Sequence, residues 1–499
     1  MSTFFGLEIG SRALQANQTA VDVTGNNIAN ASTEGYSRQR VTLTATQPYT
    51  IPAFNSPTSA GQLGTGVTVD QIQRLRDSFS DLMLRNQVKD QGLWDAKGDV
   101  LNKIQGLVAE PSGSGLSDVL QQFYAAWQGV SQDPSPENRS VVLESTNGLM
   151  DFLHNFSAQL GELNQDVNST LTAKIGEMNT IAGEIADLNS QISNVELGHQ
   201  VTAPGGSTTI VRQNNANDLR DKRDLLLDQL AAYGDMKISE DAVSGMVSVT
   251  AGPSNQPLVS GATASPIPTY TDVQGNVYLG TNSSNPIDLG NGAISGYLNG
   301  RDQSLKNVQG ALDQFTQELV KQVNYIHTQG ADVNGVQGGN FFDPAGTTAA
   351  TIALNPNITA DKIAAGTFTP DPGNPPSPPN GIPPASGDGS QALKISDLQT
   401  ALDPAAGGPL PAGETLESFW QTTIFNLGTD GKQANDQSAN HELMVKQLDT
   451  QRQQTSGVSM DEEMTNMMKY QHGYNAASRL ITVMDQMIDT IINKMGILG

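Results

Sequence analysis

The sequence predicts a mainly α fold with a β insert: N- and C-terminal helices paired as a coiled coil, a long-helix bundle as the middle domain, and a small β domain inserted into it. Three observations predict this. Near the C-terminus, Met467, Tyr470, Tyr474, Ala477, Ile481, Met484, Ile488, Ile491, Met495 and Leu498 alternate at spacings of three and four, the seam of a coiled coil. At the opposite end, Leu7, Leu14, Val21 and Ile28 recur every seven residues, with Ala13, Ala16 and Ala20 between them. From Met236 the period changes to two, in GMVSVTAG and TYTDVQGNVYLG. The division that follows is a terminal unit of residues 1–70 with 455–499, a helical bundle of 71–235 with 301–454, and a β-rich insert at 236–300 expected to project outward.

In order along the chain, the first helix ends at VTGNNIANASTEGYSRQ (Val23–Gln39). Asn26, Asn27 and Asn30 tolerate left-handed backbone and can satisfy stranded helix-end groups, Gly35 permits a tight turn, and Tyr36 offers an amphipathic anchor. Val41 and Leu43 alternate as in a strand. A second helical pattern runs from Ile72 through Leu75, Phe79, Leu82, Leu93, Val100, Ile104 and Leu107, and a shorter one (Leu116 to Trp127) stops at QDPSPEN. The longest internal helix spans about Ser140 to Leu197, with a seam from Leu160 through Leu171, Met178 and Ile185 to Val195. After the insert, whose second segment carries a QGN turn, helix returns with Leu305, Val308, Leu312, Phe315, Leu319 and Val323 on one face. Residues 331–415 read as irregular and Pro/Gly-rich, and PDPGNPPSPPNGIPPASGDG (370–389) as an exposed loop or linker.

The last helix has a readable start. In SMDE the Ser459 side chain can accept from the Glu462 amide while Glu462 reaches back, a capping box, and Asp461 and Glu463 add charge that the helix dipole favours. A seam this narrow does not hold a lone helix in water, so it needs a partner helix. The N-terminal stripe is the candidate. The chain's ends should meet.

Composition narrows the chemistry. Lys+Arg total 27 against 51 Asp+Glu, a net charge of -24, which disfavours a phosphate-binding surface, so no nucleic-acid partner is expected. With no cysteine there is no disulfide, thiolate nucleophile or zinc–thiolate site. The start, MSTFFGLEIGSRALQ, lacks the features of a cleavable signal peptide, and no apolar run approaches the roughly twenty residues of a membrane span, so no membrane insertion is expected. HELM at His441 has Val445 where a zincin helix needs its second histidine. DVNGVQGGN begins like a calcium loop and lacks the distal glutamate. His154, His199, His327, His441 and His472 are scattered and read as surface or helix-face residues. The expectation is a non-enzyme with no cofactor and no metal.

The motifs also carry a resemblance. NNIANASTEGYSRQ (Asn26–Gln39) resembles the shared signature of the bacterial flagellar axial proteins, the rod, hook and hook-associated families. SGVSMDEEMTNMMKYQHGYNAASRLITVMDQMIDTIINKMG (Ser456–Gly496) resembles one branch, the hook-associated protein 1 family, as do the internal NDLRDKRDLLLDQLAAYG, PLVSG, GAISGYLNGRD and NYIHTQGADVNGVQGGNFFD. The resemblance implies a structural protein polymerising at the hook–filament junction as a ring of like subunits. It implies the hook protein below, the second hook–filament junction protein above, a flagellar export chaperone holding the C-terminal helix (Ile481, Met484, Ile488, Ile491), and passage through the type III export apparatus to an extracellular site. The implied polymerisation interface takes Leu7, Leu14, Val21, Ile28, Asn26, Asn27, Asn30, Gly35 and Tyr36 from one end and Met467, Tyr474, Ala477, Ile481, Met484, Ile488, Ile491 and Met495 from the other. The alternatives are a hook or rod axial protein, or a secreted adhesin-like binding module carried on a helical stalk.

Overall fold

A computed structural model describes residues 4–48, 63–108, 115–196, 199–202, 208–211, 215–371, 381–411 and 413–491. Helix α1 (Phe5–Ala29) leads into an antiparallel ribbon of β1 (Gln39–Ala45) and β2 (Val67–Arg74), with a register shift between Thr42 and Leu43. The second helical pattern was expected to begin at Ile72. Instead Ile72 pairs with Val41 in the ribbon, Leu75 follows it, and α2 (Ser78–Val108) begins where Asp77 accepts the amides of Phe79 (3.1 Å) and Ser80 (3.3 Å). That carboxylate satisfies helix-start donors, which the hydrophobic period alone does not reveal.

Helices α3 (Leu116–Gln132) and α4 (Pro136–Glu196) follow, then the ribbon β3 (His199–Thr202) and β4 (Thr208–Val211), and α5 (Asn217–Ala231). A four-stranded antiparallel sheet takes β5 (Met236–Glu240), β6 (Val247–Ala251), β7 (Gln256–Ser260) and β8 (Thr263–Ala264) in chain order. The hairpin of β9 (Thr269–Thr271) and β10 (Val277–Leu279) carries the QGN turn, with Gly275 at φ 86°. Helix α6 (Ala293–Asn299) continues through a π-helical turn into α7 (Lys306–His327), and α8 (Ser390–Asp397), α9 (Leu416–Ser456) and α10 (Met460–Asp489) complete the order.

Two cores form. One joins α2, α3, the first half of α4, α7, α8 and the start of α9 around Phe123, Trp127, Phe315, Phe341, Phe342 and Trp420. The other joins Leu171, Ile175, Met178 and Ile185 of α4 to Leu227 and Leu230 of α5 and to Val249, Leu258, Val259 and Leu279 of the strands. Residues 236–300 share this core with the second half of α4, whose polar side chains stitch the strands down. Asn189 exchanges bonds with Val247 (Nδ2 to its carbonyl 2.7 Å, its amide to Oδ1 3.0 Å), and Asn168 Oδ1 accepts from the Val277 amide (3.0 Å) and Arg301 (2.6 Å).

One other expectation changes. His327 is a core residue. Its Nδ1 faces the Gly339 carbonyl at 2.6 Å, its Nε2 accepts from the Ala364 amide at 2.9 Å, and burial pushes its pKa down to about 4. The ring is thus a neutral connector with both nitrogens engaged. Residues 372–380 of the proline-rich stretch lie outside the described residues. Beside them, Thr369 pairs with Ile382 and Pro370 with Gly381, so the described ends of the stretch lie side by side.

Candidate assembly site at the paired termini

Helices α1 and α10 pack along each other, antiparallel. Their approach is set by small residues. A Cβ on Gly6 would lie 2.6 Å from Met484 Cε, and one on Gly10 only 2.9 Å from Ile481 Cγ1, so α10's large side chains fill space that α1 leaves empty. Across the middle, a Cβ on Gly473 would lie 2.4 Å from Asn17 Oδ1. The buried residues of α1 are Gly10, Ala16, Ala20, Thr24 and Asn27. The expected stripe of Leu7, Leu14, Val21 and Ile28 runs beside this face, half-buried. A Gly-x-x-x-Gly spacing at Gly6 and Gly10 is the sequence signal for this face. On α10, Met467, Tyr470, Tyr474, Ile481, Met484 and Ile488 are half-buried and Ala477 is buried, whereas Ile491 is 45 % exposed and Met495 lies outside the described residues.

The asparagine cluster anchors a polar joint. Asn27 Nδ2 donates to the Gln39 carbonyl (2.8 Å) and to Glu463 Oε2 (2.9 Å), and its Oδ1 accepts from the Gln39 amide (2.9 Å) and the Tyr36 hydroxyl (2.9 Å). Asn26 Nδ2 donates to the Tyr36 oxygen at 3.3 Å, and the Asn30 amide group returns to the Asn26 carbonyl at 3.1 Å. The left-handed turn falls at Gly35 (φ 78°), not at Asn30 (φ -102°). Burial, then the nearby carboxylates of Asp218, Asp221 and Glu463, raise the Tyr36 pKa, so its hydroxyl stays protonated and donates.

The expected capping box at Ser459 and Glu462 does not form. Ser459 makes no side-chain cap bond, and Glu462 instead pairs with Arg38 Nη1 at 2.7 Å. A guanidinium outcompetes the Ser459 backbone amide for the carboxylate because the bond is charge-assisted on both sides. Arg38 also holds Glu463 through Nε (2.8 Å), and its backbone amide donates to the Ser456 carbonyl (2.8 Å). The pairing of Arg38 with Glu463 was not read from sequence, because the two lie 425 positions apart.

Behind this joint an ion network ties α2, α5, β2 and α9 together. Arg74 reaches Asp221 (2.7 Å) and Asp224 (2.8 Å), Arg76 reaches Asp81 (2.6 Å), and Arg85 and Arg452 share Asp228 (2.6 Å each). Burial pushes Asp224 up, but Arg76, Arg74 and Arg223 more than offset it and hold its pKa below the ordinary value. Asp221 goes the other way, since burial outweighs Arg74 and the Ser37 amide. The cleft of about 690 Å³ beside this network, between α2, α5 and β5, is lined by Arg74, Arg76, Asp81, Arg85 and Asp224 of the network and by apolar side chains such as Leu227.

Elsewhere, no cluster of metal-ligating side chains occurs among the described residues. His441 Nδ1 bonds Gln87 Oε1 at 2.9 Å, joining α9 to α2, and Asp332 accepts the amides of Asn334 (2.8 Å) and Val336 (2.9 Å) within its own turn. Among the described residues no helix is long and apolar enough to cross a membrane.

Comparison with known proteins decides the family. Over its full length the chain is 30% identical to flagellar hook-associated protein 1 of Bacillus subtilis (strain 168), covering 99% of that protein. The chain belongs to the flagellar hook-associated protein 1 family. Hook-associated protein 1 of Salmonella typhimurium is 25% identical over 96% of this chain and 98% of its own length. The model of the hook-associated protein FlgK helical domain matches residues 101–342, the flagella basal body rod protein model matches 7–36, and the basal body rod FlgEFG C-terminal model matches 449–494. The last two fall on the helices that pair. The solved flagellar hook junction protein FlgK from Burkholderia pseudomallei shares the fold, with TM-score 0.59 and 16% identity over 76% of this chain and 100% of that one. As a member of this family, the chain is a structural component of the bacterial flagellum at the hook–filament junction.

Proposed function

We propose that the α1–α10 pair and the joint beneath it are the polymerisation unit, building a ring of like subunits. The observation that carries this is what the pair leaves uncovered. One flank presents the half-buried Leu7, Leu14, Val21 and Ile28, while α10 exposes Met464, Met468, Leu480, Val483 and Met487. Two different apolar surfaces on one rod suit a head-to-tail contact, which closes into a ring when the rotation permits. The terminal unit (1–70 with 455–499) is then the assembling part, and the helical bundle with its β-rich strands the body. Hook protein would sit on one side of the ring and the second junction protein on the other. Before assembly, an export chaperone would cover Ile481, Met484, Ile488 and Ile491 until the chain passes the type III export apparatus to the outside of the cell. The role is structural and not catalytic.

Ile481→Asp tests this. It puts a carboxylate against Gly10, with a loss of about 2 kcal/mol from burial alone and more from desolvation. The expected outcome is protein that is made and exported but recovered from the medium together with unpolymerised flagellin. Thr482→Asp, at an exposed position whose hydroxyl bonds only the Ser478 carbonyl, should build normal filaments. Normal filaments with Ile481→Asp would overturn the assignment.

A further inference from the structure

Seven of the chain's 14 methionines fall between Met460 and Met495, and with no cysteine the thioethers are its only oxidisable sulfur. They sort by face. Met460, Met464 and Met468 step by four along one stripe of α10 and are 44%, 48% and 56% exposed, while Met487, 53% exposed, lies farther along the helix and off this stripe. Met467, next to Met468 in sequence, is half-buried and turned toward α1, with Gly25 as its neighbour. Met150 and Met178 lie in the cores. Exposed thioethers react with peroxide, and covered ones are shielded, so this helix carries a reactive and a protected set side by side.

We propose that Met460, Met464 and Met468 form a modification site for hydrogen peroxide, and that their conversion to sulfoxides blocks docking of a second copy of the chain on this stripe while leaving the α1–α10 pair intact. The inference rests on the terminal pair being the assembly unit. In each step a sulfur lone pair attacks one peroxide oxygen, the S–O bond forms as the O–O bond breaks, and the departing hydroxide takes up a proton as water. The sulfur is oxidised by two electrons and the peroxide reduced by two. The product exchanges an apolar, adaptable side chain for a strongly polar one, which a dry helix–helix contact buries at a cost. Because Met467 and Met484 are shielded by α1, the pairing within one chain survives the dose that alters the outer stripe.

The test treats purified full-length chain with hydrogen peroxide, maps sulfoxides by mass spectrometry, and measures co-sedimentation with isolated hooks. Met460, Met464 and Met468 should oxidise several-fold faster than Met467, Met150 and Met178. Helical circular dichroism should be retained while co-sedimentation is lost, and methionine sulfoxide reductases should restore it. The triple variant M460L/M464L/M468L should sediment with or without peroxide. Equal oxidation of Met467 and Met468, unchanged sedimentation of fully oxidised chain, or peroxide sensitivity persisting in the triple variant would each overturn the proposal. If untreated chain does not sediment with hooks, the assembly reading fails, while the oxidation map on free chain still decides whether the stripe is the reactive set.

Discussion

The helical body and the terminal pair solve the same packing problem in opposite ways. The body closes on itself with large side chains: Trp127, Phe123, Phe315, Phe341, Phe342 and Trp420 are all but fully buried, and Trp420 meets Phe156 and Phe315 edge-on at centroid distances of 5.9 and 6.5 Å. In the 30 residues of α10 only Glu463 and Ala477 are buried. Helix α7, with 22 residues, buries Val308, Leu312, Phe315, Leu319, Val320, Val323 and Ile326 among others. The difference teaches that helical periodicity has two uses. In the body the apolar stripe is consumed within the chain; in α10 one side is spent on a glycine- and alanine-rich partner and the rest stays available.

The largest effect that would sharpen this contrast is Trp420→Ala. Emptying that site should cost the body about 3–5 kcal/mol, read as a lower thermal midpoint. A midpoint unchanged by the substitution would break the distinction.

Acid offers a second probe of the body. His327 is neutral in the fold, with a pKa of about 4 against an ordinary 6.5, so the unfolded chain binds the proton more readily than the folded one. Its contribution is fully present above about pH 6.5 and is lost as pH falls from there toward 4, about 3 kcal/mol in all. His327→Gln should flatten that part of the pH–stability curve measured by denaturant titration. A curve identical to the parent's would show that His327 titrates normally.

The smallest of the three acts at the joint. Glu463→Gln keeps the shape but removes the charge facing Arg38, and should cost about 2 kcal/mol locally, discounted because Arg38 is partly solvated. Hydrogen exchange should quicken in α1 and the first turns of α10 while the amides of α7 keep their protection. Equal quickening in α7 would mean that the joint and the body unfold as one unit.

Much of the architecture was legible from period alone, and the failures have specific physical causes. The C-terminal seam from Met467 to Ile488 does lie toward α1. On α1, Leu7, Leu14, Val21 and Ile28 are half-buried, and the closest approach to α10 is made by residues with almost no side chain, Gly6 and Gly10. The capping box failed because a local motif lost to Arg38, a partner from the far end of the chain. The core that the 236–300 strands share with α4 was not read, because the α4 residues beneath them, Leu171 to Ile185, continue the same helical seam that serves the other core. His327 passed for a surface residue because a lone histidine gives no sign of its backbone partners.

That continuity of α4 has a mechanical side. A helix of 61 residues has a contour of about 90 Å, and its first half is built into one core and its second half into the other. Twisting one core against the other therefore means bending or breaking a single unbroken ladder of backbone hydrogen bonds. Helix α4 is thus a single strut through both cores, and a load applied to one would reach the other along it.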